Sequence, residues 1–138
     1  WGRSFALWLG SESMEPYNSY GNGAGMRVSS AGFLANSFAE ALQFSDKVTE
    51  VTHNHPEGMK GARATTQSIW MALHGETPEE ILKQVSESYE YDLNRSIDDI
   101  RPTYRFNESC QRTVAIQIRS HRFVDRLQKR DSVFPKRL

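Results

Sequence analysis

The chain has 138 residues, with 17 Lys plus Arg against 17 Asp plus Glu and a single cysteine, Cys110. This length suits one domain, the balanced charge gives no general attraction to nucleic acid or to an anionic membrane, and one cysteine cannot form an internal disulfide. Because the apolar stretches are far too short to span a bilayer and no secretory leader opens the chain, we expect a cytoplasmic protein with neither kind of partner.

The first predicted feature is the stretch SYGNGAGMR at residues 19–27, where Gly21, Gly23 and Gly25 precede a helical pattern. Glycine lets backbone amides approach a ligand closely, and a helix start offers unpaired amides at the positive end of its dipole. This combination suits a phosphate or diphosphate group. The alternative interpretation is a tight surface turn, and the spacing differs from that of the dinucleotide-binding fingerprint.

Helical spacing continues after the glycines. Ser45 is predicted to cap a second short helix through Val48 and Val51, and Pro56 and Gly58 are predicted to break the pattern. The apolar residues that recur at helical spacing before Ser45 are Phe33, Leu34, Phe38, Ala41 and Leu42.

A longer helix is predicted from Met59 to His74, where many residues are strong helix formers or small and Gly75 follows as a stop signal. The next helix begins at Thr77-Pro78-Glu79-Glu80, because the threonine caps, the proline takes the first helical position and the second glutamate completes a capping box. Its inner stripe consists of Ile81, Leu82, Val85 and Tyr89.

In the last third of the chain, the helical patterns are shorter and charged residues are more frequent. Asp98 and Asp99 lie in a turn at Ser96–Ile100, which we interpret as a solvated helix turn. From Arg112 to Leu138 there are eight Lys or Arg against two Asp, and the apolar residues keep poor helical register. We interpret this segment as a solvated tail, with nucleic-acid binding as the alternative. No stretch alternates with a period of two, so the predicted fold class is all-α.

Two histidines flank an asparagine in VTHNHPEG at residues 51–58. In an extended segment His53 and His55 would point to one side, as two metal ligands do. The nearby sequence offers no convincing third ligand, since Glu57 is adjacent and Cys110 is distant. We therefore favour the alternative, in which one histidine hydrogen-bonds to or stacks on a ligand and the other lies at the surface.

Three motifs occur in a fixed order: PYNSYGNGAGMRVSSAGF at residues 16–33, VTHNHPEGMKGARA at 51–64 and IRPTYRFNESCQ at 100–111. In this order they resemble the central part of the ADP-ribosylglycohydrolase family, whose members include dinitrogenase reductase activating glycohydrolases. The resemblance covers roughly Phe5 to Gln111.

The resemblance implies an all-α, orthogonally packed helical fold that hydrolyses the glycosidic bond between ADP-ribose and its acceptor with two Mg²⁺ ions. In the family, the Ser-x-Gly-Asn-Gly loop lies along the diphosphate and the distal ribose, and the histidine of the Thr-His motif lies at the ligand. Small positions matching Gly58, Gly61 and Ala62 allow close helix packing. The ADP-ribose-binding residues implied here are Ser19, Tyr20, Gly21, Asn22, Gly23 and His53.

Family members also carry acidic clusters that hold the metal ions: an upstream Gly-Asp stretch with Thr-Asp-Asp, and a downstream Gly-Gly-Asp-x-Asp-Thr. This sequence has neither, so we expect no catalytic residue, no metal ligand and no Mg²⁺ binding. Residues 1–111 are then a partial domain, an incomplete helical bundle without its metal-binding parts. The opening at Trp1 fits either a piece of a longer protein or a wrongly assigned start. We expect the uncovered helix faces to be exposed and to favour self-association.

Residues 112–138 form the basic tail of this scheme. Read one nucleotide later, with synonymous codons chosen freely, Phe123–Leu138 can encode SSIDFKNAIRFSLSG, which resembles the family's helix before its metal cluster. A frameshift is therefore our hypothesis for the tail.

Three functions follow from the sequence. The first is an inactive fragment of an ADP-ribosylglycohydrolase. The second is a non-catalytic ADP-ribose-binding module or a degenerate remnant. The third is an unrelated helical protein that binds a transition metal through His53 and His55.

Overall fold

The computed structural model describes residues 2–105 and 107–119. Helices dominate these ranges, which confirms the all-α prediction, and Gly21 and Ser109 form an isolated antiparallel bridge. Within them, no helix is both long and apolar enough to cross a membrane. The helices are α1 (Arg3–Leu9), α2 (Gly23–Arg27), α3 (Ser29–Leu34), α4 (Phe38–Glu50), α5 (Pro56–Leu73), α6 (Pro78–Tyr89), α7 (Ile97–Ile100) and α8 (Cys110–Arg119), with a 3-10 turn at Arg101–Thr103.

The central helix is α5, which packs against α2, α3, α4, α6 and α8. Because it has neighbours on nearly every side, its buried residues are mostly small or short. Two hydroxyls inside it are satisfied by carbonyls one turn earlier, Thr65 by Gly61 at 2.9 Å and Ser68 by Ala64 at 2.8 Å. The helix can therefore bury polar residues without leaving these hydroxyls unpaired.

Glycines on and around α5 set the distance to its neighbours. A Cβ placed on Gly61 would lie 2.8 Å from Cβ of Cys110 on α8, and one placed on Gly32 of α3 would lie 2.6 Å from Cγ2 of Ile69. Such distances are shorter than side-chain packing allows, so these contacts require glycine. Ala62 is fully buried. The prediction of small positions for close helix packing is confirmed.

The prediction for α4 is wrong in its boundaries. Ser45 does not cap a helix but lies buried in the middle of α4, a single helix of 13 residues. The cap is Ser37, whose hydroxyl accepts from the Glu40 amide at 3.2 Å. The buried face of this helix is small and partly polar, at Ala41, Ser45 and Thr49, and a pattern based on large apolar residues does not detect it.

The start of α5 is also earlier than predicted. Pro56 does not break the helix but takes its first position, and His55 is the N-cap, with Nδ1 accepting from the Glu57 amide at 3.1 Å. A proline at this position needs no amide partner. Gly58 therefore belongs to the first turn of α5, and the predicted end near Gly75 is correct, since Gly75 has a φ of 87°.

The prediction for α6 is confirmed. Thr77 and Glu80 form the expected capping box, and Ile81 and Val85 of the predicted inner stripe are fully buried. Leu82 and Tyr89 pack partly buried against the same core. These signals depend on local hydrogen bonds and spacing, which the sequence shows directly.

The segment after Gln111 is partly helical, which differs from the predicted lack of register. Cys110, Val114 and Ile118 lie four residues apart along α8 and are buried in the core. The border at residue 111 and the frameshift hypothesis stay predictions, and residues 120–138 lie outside the described residues.

Apolar side chains are exposed on α2, α3 and α4. Met26 is 71% exposed and Leu34 is 65% exposed. The expectation of self-association applies to such exposed apolar side chains and stays a prediction.

We expect Gly61→Ala to destabilise the protein by about 1–3 kcal/mol, because the added methyl group must displace the Cys110 side chain in a packed interface. Urea denaturation followed by circular dichroism measures the change. Gly10→Ala is the control, since a Cβ there would meet its nearest neighbour at 3.7 Å. Equal stability of the two variants would show that α5 and α8 are not in close contact.

Candidate functional site

Residues 19–23 of the glycine-rich loop, which we call the strap, cross the N-terminal end of α5. A Cβ placed on Gly58 would lie 2.8 Å from the carbonyl oxygen of Ser19, so the strap contacts the helix backbone directly. The Ser19 amide donates to the carbonyl of Thr52 at 3.2 Å. These two contacts hold the start of the strap between α5 and the segment that follows α4.

The other side of the strap pairs with residues at the start of α8. The Asn22 amide donates to the Glu108 carbonyl at 2.6 Å, and the Cys110 amide donates to the Tyr20 carbonyl at 3.0 Å. The Cys110 thiol donates to the Gly21 carbonyl at 3.1 Å. Burial raises the pKa of this thiol, which keeps it protonated as a donor. The strap is therefore fixed from both sides.

This pairing differs from the expectation that the amides of the strap are free to hold a diphosphate. The Ser19 and Asn22 amides bond to carbonyls, and the Gly21 amide donates to the Ser19 hydroxyl at 3.2 Å. Gly23 differs, because it is the first residue of α2, where an amide has no carbonyl partner within the helix. The glycines mainly allow close packing, and the Ser19, Gly21 and Asn22 amides are engaged within the protein.

His53 lies against the strap and is 6% exposed. A Cβ placed on Gly23 would lie 2.9 Å from Nε2 of His53, and one placed on Gly21 would lie 3.7 Å from the same atom. The structure therefore brings the imidazole and the predicted loop together. Their binding of a ligand stays a prediction.

Two hydrogen bonds fix the orientation of the imidazole. Arg27 donates through Nη1 to the Thr52 hydroxyl at 2.9 Å, and this hydroxyl is 2.8 Å from Nδ1 of His53. Thr52 is buried, so its hydroxyl proton needs an acceptor, and Nδ1 is within reach. This assigns the proton of a neutral imidazole to Nε2, the atom that faces Gly23.

The imidazole is neutral at neutral pH. Burial, followed by the positive charge of Arg27, lowers the pKa of His53 from 6.5 to about 4. Nε2 is therefore an uncharged donor, and the positive charge next to it is that of Arg27.

Arg27 is a candidate site residue that the sequence analysis missed. Its Nε donates to the Gly23 carbonyl at 3.0 Å, and its Nη2 would lie 3.7 Å from a Cβ placed on Gly23. Nη2 and the His53 Nε2 thus flank the same glycine. The available signal was spacing, because a side chain four positions further along a helix lies over the turn that Gly23 begins.

His55 has a different role from His53. Its Nδ1 caps α5, while its ring makes an edge contact with Tyr20 at a centroid distance of 5.4 Å. The Nδ1 atoms of the two histidines are therefore engaged with different partners, the Glu57 amide and the Thr52 hydroxyl. This arrangement agrees better with the interpretation in which the two histidines act separately.

The described residues do not fit a pair of Mg²⁺ ions. In residues 2–105 and 107–119, no three His, Cys, Asp or Glu side chains form a group that could hold a metal ion. Asp99 closes a capping box with Ser96, and the Asp98 side chain is 87% exposed, which confirms the solvated helix turn. No metal-dependent step is assigned to these residues.

A family model described as ADP-ribosylglycohydrolase matches residues 2–131 of the chain. The matched range contains the strap, Arg27 and His53, and it continues past Gln111, where the three sequence motifs end. No solved structure matches the chain.

We expect the free energy of unfolding to fall as the pH is lowered from 6.5 towards 4, because the unfolded chain then binds a proton that the folded His53 does not. The slope from this group is at most about 1.4 kcal/mol per pH unit. Urea denaturation at a series of pH values measures it. His53→Gln should reduce the slope; equal slopes in this variant and in the wild type would contradict the assigned burial of His53.

Proposed function

This chain belongs to the ADP-ribosylglycohydrolase family, and we propose that its strap, Arg27 and His53 bind the ADP-ribose unit of a substrate. The proposed family reaction is hydrolysis of the glycosidic bond between ADP-ribose and its acceptor. Family membership makes the interpretation as an unrelated, metal-binding helical protein wrong.

One observation carries the proposal: two side-chain donors, on His53 and Arg27, lie close to the backbone of Gly23. Nε2 of His53 and Nη2 of Arg27 would be 2.9 and 3.7 Å from a Cβ at this position. A guanidinium supplies positive charge to a diphosphate, and a neutral imidazole N–H adds a directed hydrogen bond. Glycine at this position lets both donors approach the backbone of the strap this closely.

Two further residues of the strap support binding of the rest of ADP-ribose. The Tyr20 side chain is 57% exposed, and an exposed aromatic ring is a surface on which adenine can stack. The side-chain oxygen of Asn22 is buried and accepts no hydrogen bond from the residues that the structure describes. A ribose hydroxyl is a suitable donor for this oxygen.

Enzymes of this family form a metal-dependent hydrolase group. Because the described residues hold no group of carboxylates that fits the metal ions, we assign them the binding of ADP-ribose alone. Binding is accordingly tested in EDTA, which removes metal ions as a source of affinity.

We expect Arg27→Gln to weaken ADP-ribose binding by about tenfold, since it removes a charged donor beside Gly23 and the hydrogen bond to Thr52. Isothermal titration calorimetry with ADP-ribose in EDTA measures the affinity. Arg3→Gln removes the same charge from α1 and serves as the control. The proposal fails if wild type does not bind, or if the two variants bind equally.

We expect Asn22→Ala to weaken ADP-ribose binding without lowering the thermal unfolding midpoint, because the side-chain oxygen has no partner to lose in the free protein. Calorimetry and thermal unfolding are measured on the same samples, with Asn94→Ala as the control in an exposed loop. Unchanged affinity together with a lower midpoint would show that Asn22 is only structural.

A further inference from the structure

A cleft of about 460 Å³ opens between α5, residues 90–95, the 3-10 turn and α8. None of the strap residues 19–23, Arg27 or His53 lines it. We call it the basic cleft, since its charged lining consists of Lys60, Arg95, Arg105 and Arg112 against Glu90 and Asp92.

Among the described residues, Arg105 and Arg112 are the two cations of the cleft whose side chains make no hydrogen bond or ion pair. Lys60 lies 3.8 Å from a carboxylate oxygen of Glu57, and Arg95 donates to a backbone carbonyl at 3.3 Å. In the part of the chain that the structure describes, no ion pair involves Arg105 or Arg112, and both residues are exposed. Guanidinium groups bind phosphate through paired hydrogen bonds, so the two arginines suit a phosphate-bearing ligand.

An apolar pocket of about 190 Å³ adjoins the basic cleft. Ile100, Tyr104 and Ile116 line both spaces, so the pocket opens beside the cations. Tyr104 is 37% exposed and presents a ring to the pocket. An aromatic group of the ligand can therefore pack on Tyr104 while its charged end reaches the arginines.

We propose that the basic cleft and the apolar pocket together bind a nucleoside phosphate, with its base against Tyr104 and its phosphate groups on Arg105 and Arg112. The inference does not depend on the ADP-ribose proposal, because the two sites share no lining residue. Residues 120–138 carry six Lys or Arg against two Asp. Their net positive charge disfavours them as the occupant of a basic cleft.

The test uses an Arg27→Gln protein, in which binding at the strap is weakened, and titrates it calorimetrically with ADP, pyrophosphate and adenosine. We expect ADP to bind, and the additional changes Arg105→Gln and Arg112→Gln to weaken ADP and pyrophosphate by about tenfold or more. Tyr104→Ala should weaken ADP and adenosine but leave pyrophosphate unchanged.

The control carries Arg3→Gln and Lys47→Gln in the same Arg27→Gln protein, since these exposed residues remove an equal charge elsewhere. Circular dichroism establishes that each variant is folded. The proposal is overturned if the Arg27→Gln protein does not bind ADP, if the control weakens ADP as much as the cleft variant does, or if adenosine binds as tightly as ADP.

Discussion

Gly58 and Gly61 lie three residues apart on α5, and each brings a different segment against the helix. At Gly58 the segment is the strap, whose Ser19 carbonyl would touch any added Cβ at 2.8 Å, and at Gly61 it is the Cys110 side chain of α8. Because the thiol of Cys110 in turn donates to the carbonyl of Gly21, strap, α5 and α8 fix one another. The candidate site depends on this packing, since larger residues at either glycine would push the strap away from His53.

The electrostatics of the site follow from the same packing. Burial keeps His53 uncharged and Arg27 reinforces that effect, while the Thr52 hydroxyl links the two side chains. The positive charge therefore lies on the more exposed Arg27, and the neutral imidazole provides direction instead of charge. A diphosphate would meet a guanidinium and one N–H donor, rather than the row of backbone amides that the glycine spacing indicates.

Some local signals were predicted correctly, whereas the equally local Ser37 cap of α4 was missed. The Thr77–Glu80 box and the Gly75 stop were readable because their hydrogen bonds join residues close in sequence. The cap of α4 was misplaced because its buried stripe of small residues looks like a break in the apolar helical pattern. The first turn of α5 was missed because a proline at the start of a helix looks like a helix breaker. The proximity of His53 to Gly23 was implied only by family resemblance, and the link through Thr52 to Arg27 depends on side-chain geometry that no sequence pattern displays.

The central claim is that a neutral imidazole with its proton on Nε2 faces the ligand position beside Gly23. Nitrogen-15 NMR of the His53 ring at pH 7, before and after addition of ADP-ribose, tests it most directly. We expect the Nε2-protonated neutral tautomer in the free protein and a shift of the Nε2 signal on binding. A charged ring, a proton on Nδ1, or a ring signal that ADP-ribose leaves unchanged would contradict the account.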